Sequence, residues 1–435
     1  MAMRRDAFLR HNLWLMAFTA FALRVAVMWL RHSYRFPAAQ NHYLFGTEMG
    51  RVARSLVSGR GFASPLHGQT GPTAMVGPIY PLLIAAMFKL LGLYSVASAI
   101  ALLTLNALFS ALTAPAVFFI GRMAFDARTG TWAGWGWVFF PFAIYWPVVW
   151  VWDTSLSALL FALVFAATLR LTRSMTAIEA VLYGVLWGLA VLTNTTFLPL
   201  LPLLLGWVCH QRSRLGTRWV RPAAAAALAF GLTLTPWLVR NYFAFGHVLL
   251  RSNLGLELVL GNSPGASTPR EWQQLHPSVN PTEMAQYRAL GELRYMAAKQ
   301  REALTFITEH PDIFVRTTAM RVLYFWFDVE SLDRIVHFPE VLFGIPAIFA
   351  FAGLWLAVVR RQSAAFPFAA VFLIFPLVYY VTHPDARFRH LIEPEVLVLG
   401  AYGGLAAWRR LRGSFPPPTP RPPAGVGIAD SGCTL

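Results

Sequence analysis

The sequence predicts an all-α polytopic membrane protein, on three observations. Of its 435 residues, 57% are hydrophobic and only 13% are charged, and the mean hydropathy is +0.52. That charged share is about half of what soluble domains carry. Apolar runs near the length of a spanning helix recur along most of the chain. The net charge of +16 falls in clusters between these runs, so it speaks for orientation in a bilayer and not for nucleic acid. The two cysteines, Cys209 and Cys433, are too few for a disulfide framework or a metal site.

The first element follows Arg4, Arg5 and Arg10. It is the apolar run from Asn12 to Leu30, interrupted by Arg24. Its length and the lack of a small-residue cleavage site favour an uncleaved anchor over a signal peptide. Further spans are expected at 95–120, 131–150, 154–170, 178–195, 196–209, 222–239, 340–359, 365–381 and 394–408. The run 78–91 is too short to cross and is read as a juxtamembrane helix. With that choice, Arg122/Arg128, Arg170/Arg173, Arg212/Arg214/Arg218/Arg221, Arg360/Arg361 and Arg409/Arg410/Arg412 all share the N-terminal side. The positive-inside rule then predicts about ten spans with both termini cytoplasmic.

Four regions result. Residues 1–239 form an N-terminal transmembrane region with a first outer loop at 32–94. Residues 240–339 form an extracytoplasmic helical segment, 340–410 the last transmembrane helices, and 411–435 a Pro-rich cytoplasmic tail expected to be disordered. Within 240–339, Asn280-Pro281-Thr282-Glu283 reads as an N-cap, a Pro at the first position and a capping-box Glu. A helix should run from there to Glu309, stop at His310-Pro311, and be followed by an amphipathic stretch from Asp312 to Phe327.

The polar groups gather on the outer side. Glu48 is the only carboxylate between Asp6 and Asp126. It should lie on a short helix from Leu44 to Ser58, on one face with Arg51 and Ser55. Two roles stay open for it: a weak surface pair with Arg51, or a general base at the membrane surface. Thr70, Thr73 and Tyr80 lie in a turn-rich stretch that either connects elements or lines an anion pocket. Asp153 precedes the span 154–170 and is either an N-cap or a catalytic acid. Arg240, Arg387 and Arg389 end or begin spans on the same side. Guanidinium there suits a lipid phosphate, because its fork binds two oxygens at once. Glu257 and Asn262 fall in a glycine-containing stretch that suits sugar hydroxyls or a turn network. His383, Asp385 and His390 match no strong metal spacing.

In order along the chain, these elements resemble the lipid-linked GT-C glycosyltransferases, in particular family 39 with its protein O-mannosyltransferases and lipid A aminoarabinose transferases. The resemblance rests on Ala22-Leu23-Arg24-Val25, on an acid before Ala-Arg-Ser-Leu-Val-Ser-Gly-Arg-Gly-Phe (53–62), and on Gly-Pro-Ile-Tyr-Pro (77–81). It continues with Asp153 after Phe140-Pro141 and with Ala-Arg-Phe-Arg-His-Leu-Ile-Glu-Pro-Glu (386–395). It covers most of 1–410. It implies inverting transfer of a sugar from a polyprenyl-phosphate donor to a glycan, lipid or protein acceptor outside the cytoplasm, in a bacterial inner membrane. Glu48 would be the base and Asp153 a second acid. Arg387, then Arg240 and Arg389, would hold the donor phosphate, with Arg51, Thr70, Thr73, Tyr80, Glu257 and Asn262 lining the substrate site. Family members usually carry Asp at the base position, often in an acidic pair, whereas here the acid is a Glu beside Thr47. No cofactor is demanded, and a divalent metal stays open. The competing classes are an envelope polysaccharide polymerase or ligase, which would rely on arginines and a His, and a lipid or solute transporter, which would show internal repeats and midplane charges.

Overall fold

A computed structural model describes residues 2–37, 42–264, 274–328 and 338–412, with side chains from 12 onward in the first stretch and from 342 onward in the last. The expected tail falls almost wholly outside these residues. The described chain is all helical, as its composition predicts, with one isolated bridge between Ala63 and Pro72.

The N-terminal half runs through α1 (Ala2–Leu30), α2 (Glu48–Val57), α3 (Ile79–Leu91), α4 (Val96–Ala124), α5 (Ala127–Phe139), α6 (Pro141–Val149), α7 (Thr154–Leu171), α8 (Ala177–Thr193), α9 (Leu200–Arg214) and α10 (Val220–Phe245). The remainder comprises α11 (Leu254–Gly261), α12 (Pro281–Leu290), α13 (Glu292–Glu309), α14 (Pro311–Phe327), α15 (Phe338–Val359), α16 (Ala365–Ile374), α17 (Leu377–Val381), α18 (Ala386–His390) and α19 (Glu393–Leu411). Among the described residues, five helices are long and apolar enough to cross a membrane alone: Asn12–Leu30 of α1, then α4, α7, α10 and Leu342–Val359 of α15. At 13 residues, α3 spans only about 20 Å.

Several expected elements are broken, each at an identifiable residue. The run 131–150 splits into α5 and α6 at Pro141, and 365–381 splits into α16 and α17 at Pro376. The helix expected from Asn280 to Glu309 is two helices, because Gly291 adopts φ 75° between them. Asn280 does cap α12, accepting from the N–H groups of Thr282 and Glu283. The stretch holding Glu257 and Asn262 is not a loop but α11 with its C-cap.

The Pro141 break explains Arg24. A helical carbonyl accepts from the N–H four residues on, so Pro141 orphans the carbonyl of Trp137 and Pro147 that of Ala143. Bilayer offers no water to replace those bonds. Arg24, fully buried, donates to the carbonyls of Trp137 (3.2 Å) and Val138 (3.3 Å) and to Ser110 Oγ (2.8 Å). Ser110 Oγ in turn donates to the carbonyl of Ala143 (3.0 Å). Arg24 thus satisfies one proline-freed carbonyl directly and supports the Ser110 hydroxyl that satisfies the other.

Helices approach closely where small residues permit it. A side chain at Gly184 of α8 would place its Cβ 2.1 Å from the carbonyl oxygen of Ala226 in α10. One at Gly353 of α15 would come 2.2 Å from that of Leu399 in α19.

At one end of the bundle, a separate small core joins Leu66 and Met75 of the first loop to Leu256, Tyr287 and Tyr295 of α11–α13. The first loop is therefore built into the cap that 240–328 forms, not draped over it.

Candidate functional site

Three segments meet at the cap end of the bundle: the first loop, the chain before α7, and the short α17–α18 region. The N–H of Val151 donates to the carbonyl of Leu44 at 2.9 Å. That bond brings the residues just before Glu48 against the residues just before Asp153.

Glu48 opens α2. Thr47 before it has φ 48° and ψ −108°, and Gly46 has φ 92°. Left-handed backbone at a non-glycine residue costs on the order of 1–3 kcal/mol and concentrates at functional sites. The strain holds the carboxylate at the first position of the helix. Its side chain is 13% exposed, and His276 Nε2 lies 4.0 Å from Oε1.

The expected surface pair with Arg51 does not form. Arg51 is 2% exposed, and its guanidinium points to the carbonyl of Pro65 (3.3 Å), Ser278 Oγ (3.4 Å) and His67 Nε2 (3.4 Å). Ser55 is buried as well. The cap covers a face of α2 that the helical pattern assigned to solvent. Burial lowers the pKa of Arg51, with Glu48 pulling it back up.

Asp153 is 6% exposed and caps nothing with its side chain, which excludes the plain N-cap reading. Ser157 Oγ donates to it at 3.4 Å. Burial raises its pKa to about 6, opposed by the nearby charges of Arg251 and Arg387. Beneath it, Tyr80 donates to Asn106 Oδ1 at 2.7 Å and is buried, so it supports the floor of the site.

Arg387 is the most telling cation. Its guanidinium carbon lies 5.1 Å from the Trp150 ring centre, 4.4 Å from that of Trp152 and 5.1 Å from that of Phe388. Asp385 Oδ2 is 3.4 Å from its Nε. Its Nε and Nη1 are buried without a hydrogen-bond partner among the described residues. Buried donors are normally satisfied, so orphaned guanidinium donors mark a place built for an anion. Tyr43 lies within electrostatic reach of both Arg387 and Glu48: burial raises its pKa, Arg387 opposes that, and Glu48 and Asp385 add to it.

Two expected phosphate ligands are spent elsewhere. Arg389 is fully buried; it pairs with Glu393 (2.8 and 3.1 Å) and donates to the carbonyls of Trp326 and Phe343. Four of its five N–H groups are committed and the side chain is sealed from the site, so the structure does not favour it as a phosphate ligand. Arg240 donates to the carbonyls of Thr73 and Phe62 and to Asn241 Oδ1. It fastens the first loop to α10.

The remaining expected residues divide. Asn262 gives its amide to the carbonyls of Leu258 and Val381 and accepts from Arg321, so it ties α11 to α14 and α17. Glu257 accepts from Asn253 and faces His383 Nδ1 at 3.5 Å, at the site's edge. Thr73 is buried, with Oγ1 accepting from the N–H of Met75. Thr70 donates its N–H to Ser64 Oγ. His390 stacks on Trp137 inside the bundle, away from His383. Among the described residues no three His, Cys, Asp or Glu side chains gather to hold a metal ion.

Sequence reasoning missed four residues. Arg251 donates from Nε to the carbonyl of Met75 (2.8 Å) and places a cation near Asp153. His276 faces Glu48 across the cap. Tyr43 feels the charges of both Arg387 and Glu48. Glu292, 5% exposed, accepts from the N–H of Ala74, from Ser252 Oγ and from the Tyr287 hydroxyl, and so pegs the first loop. Only Arg251 carried a sequence signal, as a further arginine on the outer side.

No family model matches the sequence, and no curated protein matches it. Solved structures do. The chain is similar to the archaeal oligosaccharyltransferase from Archaeoglobus fulgidus tethered with an acceptor peptide, at TM-score 0.56 and 14% identity, covering 95% of this chain and 51% of that one. The same protein, AglB, in complex with an inhibitory peptide and a dolichol-phosphate gives TM-score 0.55 at 14% identity, covering 94% and 52%. Its complex with Zn and sulfate gives TM-score 0.50 at 14% identity, covering 93% and 50%. ArnT from Cupriavidus metallidurans bound to undecaprenyl phosphate is also matched, at 16% identity, covering 93% of this chain and 79% of that one, but superposes only to TM-score 0.39. The chain spans about half the length of the oligosaccharyltransferase. At these identities the likeness concerns architecture: the chain shares the helical fold of the matched part of the oligosaccharyltransferase.

Proposed function

We propose that the protein is an integral membrane glycosyltransferase that moves a sugar from a polyprenyl-phosphate donor to an acceptor nucleophile on the outer face of the membrane, with inversion. The observation that carries this reading is Arg387, whose buried, orphaned guanidinium donors lie on an aromatic bed at the same end of the bundle as Glu48 and Asp153. The dolichol-phosphate and acceptor peptide in the matched oligosaccharyltransferase structures support a lipid-phosphate donor and an acceptor entering from water.

In this scheme the donor's tail stays in lipid and its phosphate meets Arg387, with Arg251 adding positive charge nearby. An acceptor hydroxyl attacks the anomeric carbon as Glu48 takes its proton. The bond from that carbon to the phosphate oxygen breaks, and the phosphate leaves as an anion. It needs no protonating acid, unlike the alcohol that a glycosidase expels. The cations stabilise charge that develops on the phosphate. Asp153, poised near neutrality, orients the acceptor or the cations. A metal ion in one oligosaccharyltransferase structure keeps divalent dependence an experimental variable, and no step above runs through one.

The test is sugar transfer from a labelled polyprenyl-phosphate donor by the protein in nanodiscs. Glu48→Gln should lower turnover by about 10²–10⁴-fold while the melting temperature and donor binding stay unchanged. Full activity of that variant removes Glu48 as the base.

A further inference from the structure

A groove of about 520 Å³ lies far from the candidate site, between α9 and the start of α16, lined by Pro202, Leu203, Gly206, Trp207, His210 and Phe366. It adjoins a second hollow of about 370 Å³ whose wall carries Arg173 and Arg214, and the two share Trp207, Gln211 and Ser363. Asp153 stands at one end of α7 and Arg173 just past the other. The 18 residues of α7 alone separate them by about 27 Å along the helix axis. The groove is therefore at the end of the bundle opposite the candidate site, where Arg122, Arg128, Arg170, Arg212 and Arg409 also lie.

The two hollows form one amphiphilic trough. One part is mainly apolar with His210 on its wall, and the other, the mouth, offers two guanidinium groups, the Gln211 amide and the hydroxyls of Thr172 and Ser363. The acids at this end are engaged elsewhere: Glu179 with Arg170 at 2.7 Å, and Asp126 with Arg409 at 3.8 Å. Neither Arg173 nor Arg214 pairs with a carboxylate among the described residues; Arg173 makes one bond, to the carbonyl of Met123. Basic hollows between helices on the cytoplasmic side of a membrane bind anionic headgroups, and a guanidinium fork matches a phosphodiester.

We infer that this trough is a binding site for an anionic glycerophospholipid, with its phosphate at Arg173 and Arg214 and an acyl chain in the groove along Leu203, Gly206 and Phe366. Charge selects the occupant: a zwitterionic lipid brings its own cation to a mouth that already holds two. The site is independent of the transfer chemistry.

The test is native mass spectrometry of the full chain, delipidated in detergent and titrated with phosphatidylglycerol or phosphatidylcholine. Wild-type protein should keep phosphatidylglycerol in preference to phosphatidylcholine. Arg173→Gln with Arg214→Gln should weaken that binding by about 10–100-fold, the worth of a charge-assisted hydrogen bond. Gly206→Phe should block the chain instead of the headgroup. A Cβ at Gly206 meets nothing within 4 Å, so the new side chain leaves the helix into open space, and an unchanged melting temperature is the control that the bundle is intact. Equal retention of the two lipids, or unchanged phosphatidylglycerol binding in both variants, overturns the site. So does a polyprenyl phosphate that displaces phosphatidylglycerol from it. Failure here leaves the role of Glu48 untouched, because that is read by sugar transfer.

Discussion

Arg389 and Arg387 stand two residues apart and live in opposite circumstances. Arg389, like Arg24 deeper in the bundle, has its donors committed to carbonyls and a carboxylate inside a closed network. Arg387 rests on Trp150 and Trp152 with Nη1 orphaned. Charge type and sequence neighbourhood do not distinguish them; satisfaction of the donors does. A closed arginine holds the fold together, and an open one awaits a ligand.

Breaking the closed networks should have the largest effect. Arg389→Ala strands a buried Glu393 and should destabilise by about 3–5 kcal/mol, as removal of one partner from a buried pair does. Arg24→Met leaves proline-freed carbonyls bare at membrane depth and should cost a comparable amount. Thermal unfolding in detergent reads both. Melting temperatures within a degree of wild type would erase the distinction drawn here.

The next effect has the opposite sign. Between 3.8 and about 6, folded Asp153 retains a proton that the unfolded chain has lost, so stability falls as pH rises through that window. Asp153→Asn should remove the slope and stabilise the protein at neutral pH by on the order of 3 kcal/mol, while lowering transfer activity. A stability–pH curve unchanged by Asp153→Asn would mean that the carboxyl is solvated.

Arg387→Ala belongs to the open class. It should leave unfolding unaltered and weaken donor binding by about 10–100-fold, the equivalent of one charge-assisted hydrogen bond. A variant that melts early with unchanged donor affinity would move Arg387 into the closed class. The smallest effect concerns the peg beneath the loop. Glu292→Gln keeps the shape but turns charged acceptors into neutral ones and should cost about 1–2 kcal/mol. Faster amide exchange confined to the first loop and α11–α13 is the expected signature; uniform exchange across the bundle would contradict it.

Some of the site was legible along the chain. Glu48 was conspicuous because acids are scarce, and Asp153 and Arg387 because they lie beside expected span ends. Other parts were not. Arg51 is three residues from Glu48, which suggests a pair, yet its partners come from Pro65, His67 and Ser278. His276 and Glu292 lie more than 200 residues from the loop they touch. Arg240 and Arg389 had the right type and the right side, and both were already occupied.

Composition and the length of the apolar runs determined the membrane class, because bilayer thickness and backbone hydrogen bonding leave helices as the only open-ended solution. Proline and glycine determined where helices break, since Pro lacks an N–H and Gly tolerates positive φ. Tertiary structure alone decided which polar groups are satisfied. Hydrogen-bond satisfaction depends on partners brought from distant segments, and no local pattern records them. That separated an Arg387 with unpartnered donors from a sealed Arg389, and set Glu48 beside His276 instead of Arg51.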